Sequence, residues 1–184
     1  MKKLIGTVPL VMVATALVAA QGSKPDFSGT WMLDLKKSSS TGLPTRPDVP
    51  IRISHQDPEL RVIRTSESNG QTVEREFVYY TDGRGETNQA TSLLTTNPGG
   101  AKASDLQNKQ TKSRTKWSGD KLVTRARIRM TVAGHMLEYE IIDEWKLSAD
   151  RKVLTQTSRL VFQQSDAAFI PAIVPDTKKV YNRT

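Results

Sequence analysis

His55 and His135 are the only imidazoles in this 184-residue chain, and it has no cysteine. A structural zinc site or an iron–sulfur cluster therefore lacks its usual donor set. His135 falls in a predicted hairpin turn and reads as a solvated turn residue. His55 is different. If Asp57-Pro58 turns the chain, His55 shares a face with Ile53, Leu60 and Val62, and a cavity-facing imidazole could ligate a metal or haem iron. No second ligand accompanies it. Neither histidine lies in a Ser–His–acid set, and Asp82-Gly83-Arg84-Gly85 reads as a hairpin turn rather than a phosphate loop. Glu74 and Glu76 read as a solvated strand face. The expectation is a protein with no catalytic group, metal or cofactor; an enzyme of hydrolase or isomerase type is the alternative of another class.

Two other sets of residues could orient a ligand without reacting. Arg125, Arg127 and Arg129 alternate along the chain, and pointed inward they could bind the carboxylate of a fatty acid, as in intracellular lipid-binding barrels. Asp143 alternates with Ile141 and Trp145, and on a shared inner face it is costly to bury unless hydrogen-bond donors surround it. Which way these side chains face depends on the strands that carry them.

From Ile51 onward the hydrophobic pattern has period two, and no segment sustains a helical stripe. Thr, Val, Ile and aromatic residues fill runs punctuated by Gly, Asp, Asn and Pro. The predicted strands are Thr30–Leu35, Ile51–Gln56, Leu60–Ser66, Thr72–Tyr80, Glu86–Leu94, Gln110–Trp117, Lys121–Val132, Met136–Leu147 and Lys152–Gln163. Lys37–Pro50 and Thr95–Asn108 read as loops, the second a candidate flap carrying Asn97-Pro98-Gly99-Gly100.

Pairing Lys121–Val132 with Met136–Leu147 through Ala133-Gly134 sets Leu122 against Trp145, Thr124 against Asp143, Ala126 against Ile141, Ile128 against Tyr139 and Met130 against Leu137. The other face sets Arg127 against Glu140 and Arg129 against Glu138. A slip by one residue would oppose Arg to Tyr and Ile, so charge and burial select one register. The arginines then form an outer, solvated ladder. A turn at Gly119-Asp120 brings Trp117 to Leu122 and Thr115 to Thr124, and leaves Lys112, Arg114 and Lys116 as a basic outer patch. A four-residue connection, Ser148–Arg151, sets Leu154 opposite Trp145, Gln156 opposite Asp143, Leu160 opposite Tyr139, Phe162 opposite Leu137 and Arg159 opposite Glu140. Short antiparallel connections of this kind make an up-and-down meander.

On the inner face, Trp117, Trp145, Leu122, Leu147 and Leu154 should cluster at one end, with Trp31 as a plug. Asp143 sits one step further in, between Thr124 and Gln156. It is either a satisfied polar layer near the barrel floor or an acid that orients a ligand. The candidate ligand-binding residues are Tyr139, Asp143, Gln156, Phe162, Met130, Ile128 and His55.

Compartment and charge complete the reading. Lys2 and Lys3, the apolar run Leu4 to Leu17 and the small residues Val18-Ala19-Ala20 read as a secretory signal peptide over residues 1–20, leaving 21–184 as a single domain. A secreted or periplasmic location follows, with no membrane span after cleavage. The formal charge of +8 suits an anionic cell-envelope component as partner, or simply a lopsided surface; no nucleic-acid partner is expected, and the sequence leaves the oligomeric state open.

Phe27-Ser28-Gly29-Thr30-Trp31, followed by Leu33, Asp34 and Lys36-Lys37-Ser38, resembles the Gly-x-Trp opening of the lipocalins and of secreted bacterial lipocalin-like (calycin-type) proteins. Trp117-Ser118-Gly119-Asp120-Lys121-Leu122, Glu144-Trp145-Lys146-Leu147-Ser148 and Val180-Tyr181-Asn182-Arg183 extend that resemblance over most of the chain after the leader. It implies an all-β, antiparallel up-and-down lipocalin-like β-barrel of about eight to ten strands. It also implies a cavity for a small, mostly apolar ligand, and a late basic residue packed over Trp31, for which Arg159 and Arg183 are both open. The alternative is a filled barrel acting as an interaction module through its basic outer face.

Overall fold

The structure, a computed structural model, describes residues 24–39, 50–68, 71–89, 110–132, 135–165 and 176–184. Ten strands run in chain order: β1 (Gly29–Leu33), β2 (Ile51–Gln56), β3 (Glu59–Ser68), β4 (Gln71–Tyr80), β5 (Glu86–Gln89), β6 (Gln110–Ser118), β7 (Lys121–Val132), β8 (His135–Leu147), β9 (Val153–Ser165) and β10 (Thr177–Arg183). All pair antiparallel in one sheet of order β4-β3-β2-β1-β10-β9-β8-β7-β6-β5. The fold is the expected all-β up-and-down barrel, nearly closed. There is no helix among the described residues, hence none long and apolar enough to cross a membrane.

Every neighbour in the sheet is a chain neighbour except β1 and β10, whose pairing sets Trp31 opposite Arg183 and Leu33 opposite Tyr181. The sheet ends, β4 and β5, are tied by inward side chains in place of a ladder. Asn88 on β5 accepts from the Val78 N–H (2.9 Å) and donates to the Val78 carbonyl (2.7 Å). Glu86 accepts from the Tyr80 N–H at 3.3 Å. The β4 edge thus has part of its backbone hydrogen bonding met from within the barrel, which blunts it against pairing with other chains.

Three hairpins test the sequence-based registers. β7 and β8 pair as expected, Leu122 to Trp145 through Met130 to Leu137, with Arg127 opposite Glu140. β6 and β7 also pair as expected, and Gly119, at φ 63°, supplies the left-handed residue of their turn. The β8–β9 register differs from expectation by two residues. Leu154 faces Leu147 rather than Trp145, Gln156 faces Trp145, Ser158 faces Asp143, Leu160 faces Ile141, Phe162 faces Tyr139 and Arg159 faces Ile142. The connection explains it. Five residues, Ser148 to Lys152, separate the strands, and the turn closes by Arg151 N–H to Ser148 carbonyl (2.9 Å) and Ser148 N–H to Val153 carbonyl (2.8 Å). Arg151 takes the left-handed conformation, φ 57°. A shift of two preserves which face each residue takes and changes only its neighbours.

Other boundaries move as well. β1 begins at Gly29 and ends at Leu33 rather than running from Thr30 to Leu35, and Leu35 is exposed. The tenth strand, Thr177–Arg183, was not among the predicted strands. The leader 1–20, residues 40–49 of the first loop, 90–94 of the fifth predicted strand, the Thr95–Asn108 flap and the Ala133-Gly134 turn lie outside the described residues, as do the side chains of Met130 and His135.

The outward face carries the charge ladder. Arg125 pairs with Glu140 (3.0 Å), Arg129 with Glu138 (2.7 Å), and Lys121 and Arg159 both reach Glu144 (3.1 and 3.0 Å). Each such exposed pair adds at most about 1 kcal/mol. Facing inward at one end, Trp31, Phe27, Leu122, Trp145, Leu154 and Val62 form the main apolar core, with Trp117 packed against it. Trp31 has no exposed surface, donates its indole N–H to the Phe27 carbonyl (3.0 Å), and lies under the Arg183 guanidinium, 4.7 Å from the ring centre. Arg183 is therefore the basic residue that covers this tryptophan. Gly29, at φ 140°, has no side chain to push on Arg183 or on the Trp31 indole, to which an added Cβ would lie 3.4 and 3.6 Å away.

Trp31→Ala should lower the unfolding free energy by about 3–5 kcal/mol, Arg183→Ala by about 1 kcal/mol, and Arg159→Ala by less. Urea titrations of the three variants check this order; an Arg159 loss equal to that of Arg183 contradicts it.

Candidate functional site

The registers lay the inner face out in rows. Along β8, successive inward residues stand about 7 Å apart, from Leu147 at the Trp31 end through Trp145, Asp143, Ile141 and Tyr139. The Asp143 row is polar on five adjacent strands: Thr115, Thr124, Asp143, Ser158 and Thr177 are consecutive cross-strand partners. Below it, Gln156 and Lys179 are partners beside Trp145. Above it come Ala126, Ile141 and Leu160, then Ile128, Tyr139 and Phe162. The interior therefore runs from an apolar floor through a polar belt to an upper section that is apolar on β7–β9 and polar on β5 and β6, where Glu86, Asn88, Thr111 and Ser113 are buried.

Asp143 is 2 % exposed. The Ser158 hydroxyl donates to its Oδ1, and the Gln156 amide donates to Oδ2 at 3.3 Å. Arg64, carried on β3, reaches across the interior to donate from Nη2 to Gln156 Oε1 at 3.4 Å, with its guanidinium 6.0 Å from the Trp145 ring centre. Its Nε is buried and has no hydrogen-bond partner. Lys179, 8 % exposed, is the second cation of the belt. Among the described residues no ion pair joins Arg64 to a carboxylate, and Lys179 feels the charges of Arg64 and Asp143. The other interior acid, Glu86, is engaged near the seam by the hydroxyls of Ser113 (2.7 Å) and Thr115 (2.8 Å), and Thr115 in turn bonds Thr124 at 2.8 Å.

Burial dominates the electrostatics. Desolvation pushes the Asp143 carboxyl up, against the hydrogen bond from Ser158, the charge of Arg64, the hydrogen bond from Gln156 and the charge of Lys179. Desolvation, reinforced by repulsion from Arg64 and opposed by Asp143, brings Lys179 down to about 8. Tyr181, also buried, is raised by desolvation. Acid and base are thus both driven toward their neutral forms, as expected where water is scarce and no close pair compensates.

The candidate residues fall into three places. Asp143 and Gln156 form the centre of the belt. Ile128, Tyr139 and Phe162 lie together in the upper section, where the Tyr139 and Phe162 rings meet edge-on at 5.7 Å and Phe162 is 39 % exposed. His55 is elsewhere, at the floor. Its side chain is 4 % exposed and packs 5.9 Å from both Phe27 and Trp117, with Nδ1 accepting from the Phe27 N–H at 3.3 Å. The Asp57-Pro58 turn does place it inward, but its nearest carboxylates are the exposed Asp57 (3.7 Å) and Asp26 (3.9 Å). Among the described residues no group of three His, Cys, Asp or Glu side chains is placed to hold a metal. Sequence reasoning missed Arg64 and Lys179. Period-two alternation from Leu60 and Val62 does carry Arg64 inward, whereas Lys179 belongs to the strand that was not predicted.

A second feature lies outside. A depression of about 430 Å³ on the β6–β7 face is lined by Arg114, Lys116, Trp117, Val123, Arg125 and Glu144. Arg114 stands directly opposite Arg125, a like-charge juxtaposition that weakens a sheet unless something offsets it; Glu140 offsets Arg125 alone. No protein-family model matches the chain, and no curated protein sequence matches it either.

The Lys179 shift fixes a pH dependence. Between about 8 and 10.5 the unfolded chain holds a proton that the folded one has released, so this group makes stability rise with pH across that window. Lys179→Met should be more stable than the parent at neutral pH, by up to about 3 kcal/mol, and lose that advantage by pH 10.5. Urea titrations across this range check it; a constant difference contradicts the burial of the ammonium.

Proposed function

We propose that this protein is a secreted or periplasmic lipocalin-like carrier that holds a small, mostly apolar ligand inside its barrel without transforming it. The observation that carries this reading is the order of the inner rows. Apolar side chains of β7–β9, with partly exposed Phe162 among them, lead down to a belt of convergent polar groups, the combination that small-molecule sites use to bury a ligand and fix its orientation. Width supports it too. Ten strands enclose more space than the eight that side chains just fill, and the inward positions Ser113, Thr115, Thr124, Ala126, Ser158 and Thr177 carry nothing larger than threonine. In this reading Tyr139, Ile128 and Phe162 contact the apolar part of the ligand, Asp143 and Gln156 contact its polar end, and His55 belongs to the floor.

The outer depression favours a second reading, an interaction module that lays its basic β6–β7 face on an anionic envelope component. Lys112, Arg114 and Lys116 are all exposed there, and Trp117 lines the depression beside Arg114 and Lys116.

One experiment separates the two. The purified protein is extracted under denaturing conditions and the extract analysed by mass spectrometry, alongside thermal unfolding against a panel of hydrophobes and lipids. The carrier reading expects a released small molecule, or a ligand that raises the unfolding temperature of the protein and not of an Ile128→Arg variant. An empty extract with no shift across the panel sinks it. Retention on anionic polysaccharide or vesicles that Arg114→Glu and Lys116→Glu abolish would then establish the module.

A further inference from the structure

We propose that the depression on the β6–β7 face binds a linear anionic polysaccharide, whose carboxylates or sulfates seat on Arg114 and Lys116 and continue along Lys112 and Arg127. The proposal rests on the second reading above, the basic face, and names the partner of that face. It is independent of what the barrel interior holds.

Positive charge is left over on this face because each acid beside it is already matched elsewhere. Glu140 accepts from Arg125 (3.0 Å), Glu138 from Arg129 (2.7 Å), and Glu144 from both Lys121 and Arg159 (3.1 and 3.0 Å). Asp120 holds Lys146 at 3.0 Å. Asp82, whose backbone bridges to that of Lys116, is taken by Arg84 through Nε (2.9 Å) and Nη2 (2.5 Å). Lys112, Arg114, Lys116 and Arg127 are exposed and have no ion pair among the described residues. The four are contiguous. Lys112, Arg114 and Lys116 alternate along β6 about 7 Å apart, Arg114 lies opposite Arg125, and Arg127 is the next outward residue of β7. Like charges set opposite one another weaken a sheet, and an anion laid along them relieves that repulsion. Lys116 is also held in position. Its stem crosses Gly83, where an added Cβ would lie 2.2 Å from Lys116 Cε and 2.7 Å from Cγ. The lysine is thus seated by the turn and left without a counter-charge.

Shape and side-chain chemistry select the polymer. Arg114, Lys116 and Arg125 surround a concavity of about 430 Å³ in the side wall of a barrel, a recess that a planar lipid surface does not enter. Among the described residues the large exposed apolar side chains are Leu35, Met136, Val161 and Phe162; none stands on β6 or β7 to insert into a bilayer. Single-stranded nucleic acid is held by stacking its bases on aromatic faces. The aromatic residue lining the depression, Trp117, is already engaged: it packs 5.9 Å from both Phe27 and His55, has the Lys24 ammonium 5.3 Å from its ring centre, and donates its N–H to Asp57 at 3.2 Å. A saccharide chain needs neither insertion nor base stacking. Its anions take charge-assisted hydrogen bonds from the guanidinium forks of Arg114 and Arg127, and Ser118 and Glu144 line the same recess to meet its hydroxyls.

Titration calorimetry with dextran sulfate and polygalacturonate, against uncharged dextran, tests this on the purified protein and on two double variants. One combines Arg114→Gln with Lys116→Gln; the other combines Arg52→Gln with Arg61→Gln and removes the same charge from β2 and β3. At least one polyanion should bind the parent, more weakly as salt is raised, and dextran should not bind. The Arg114/Lys116 variant should bind about tenfold or more weakly with an unchanged or raised unfolding temperature. The Arg52/Arg61 variant should stay within about twofold of the parent. Equal losses in the two variants show attraction by net charge alone and overturn the site. Binding of phosphatidylglycerol vesicles or oligothymidylate that depends on Arg114 and Lys116, with neither polysaccharide bound, overturns the polysaccharide and leaves the basic-face reading standing. Failure of the parent to bind any of these anions overturns the basic-face reading and this inference with it.

Discussion

The two ends of the folded chain must meet for the rest of the structure to exist. β1–β4 and β5–β10 are each a meander of neighbouring strands, and the pairing of β1 with β10 makes them one sheet. At that junction Trp31 is opposite Arg183 in register, beneath its guanidinium, and bonded through its indole to the Phe27 carbonyl. The contact spans more than 150 positions of chain, so it forms only after a large loop has closed, at an entropic cost that local hairpins do not incur. Burial of Trp31 and its apolar neighbours offsets that cost, which explains why the Gly-x-Trp segment speaks to architecture rather than to chemistry. The opposite closure, between β4 and β5, is made differently, with the Asn88 and Glu86 side chains standing in for a ladder.

The interior site inherits this dependence. Asp143, Gln156, Ser158 and Lys179 all come from the second meander, and their relative positions are set by the β8–β9 and β9–β10 registers. Arg64 comes from the first. Its approach to Gln156 and to the Trp145 ring exists only when β1 and β10 hold the two meanders together. Floor packing and belt geometry are accordingly one problem: what seats Trp31 also fixes where the Arg64 guanidinium points.

How much of this could be read from the residues follows from how many independent constraints act on each pairing. For β7 and β8 two signals agree, since apolar residues select one face and opposite charges select partners on the other. That register was legible to the residue. For β8 and β9 the apolar alternation survives a shift of two, and Arg159 meets a glutamate in either alignment; it reaches Glu144 in the structure. Only the conformation of Arg151 in the turn decides between them, and a left-handed arginine carries no sequence signal of the kind that glycine does. The tenth strand was hidden because Lys179 occupies an inward position, so Thr177–Arg183 lacks the apolar alternation that marks a half-buried strand. Arg64 and Lys179 were missed for one shared reason: charged residues read as solvated until the sheet is closed around them.

That shared reason bears on what the belt is for. Hydrophobic side chains of similar volume in place of buried charges are often neutral or stabilising, and fold specificity here is already secured by the outer charge ladder and the Trp31 floor. Arg64 and Lys179 add to neither. Burial pushes Lys179 toward its neutral form and Asp143 toward protonation, so the belt lowers stability in proportion to how dry it is. A polar row continuous across five strands, with Gln156 and Lys179 below it and Ser113 and Glu86 beside Ala126 above it, is a costly way to fill a barrel. It is an economical way to hold one end of a molecule that enters from the apolar side, because groups fixed by the sheet need no reordering when a ligand arrives.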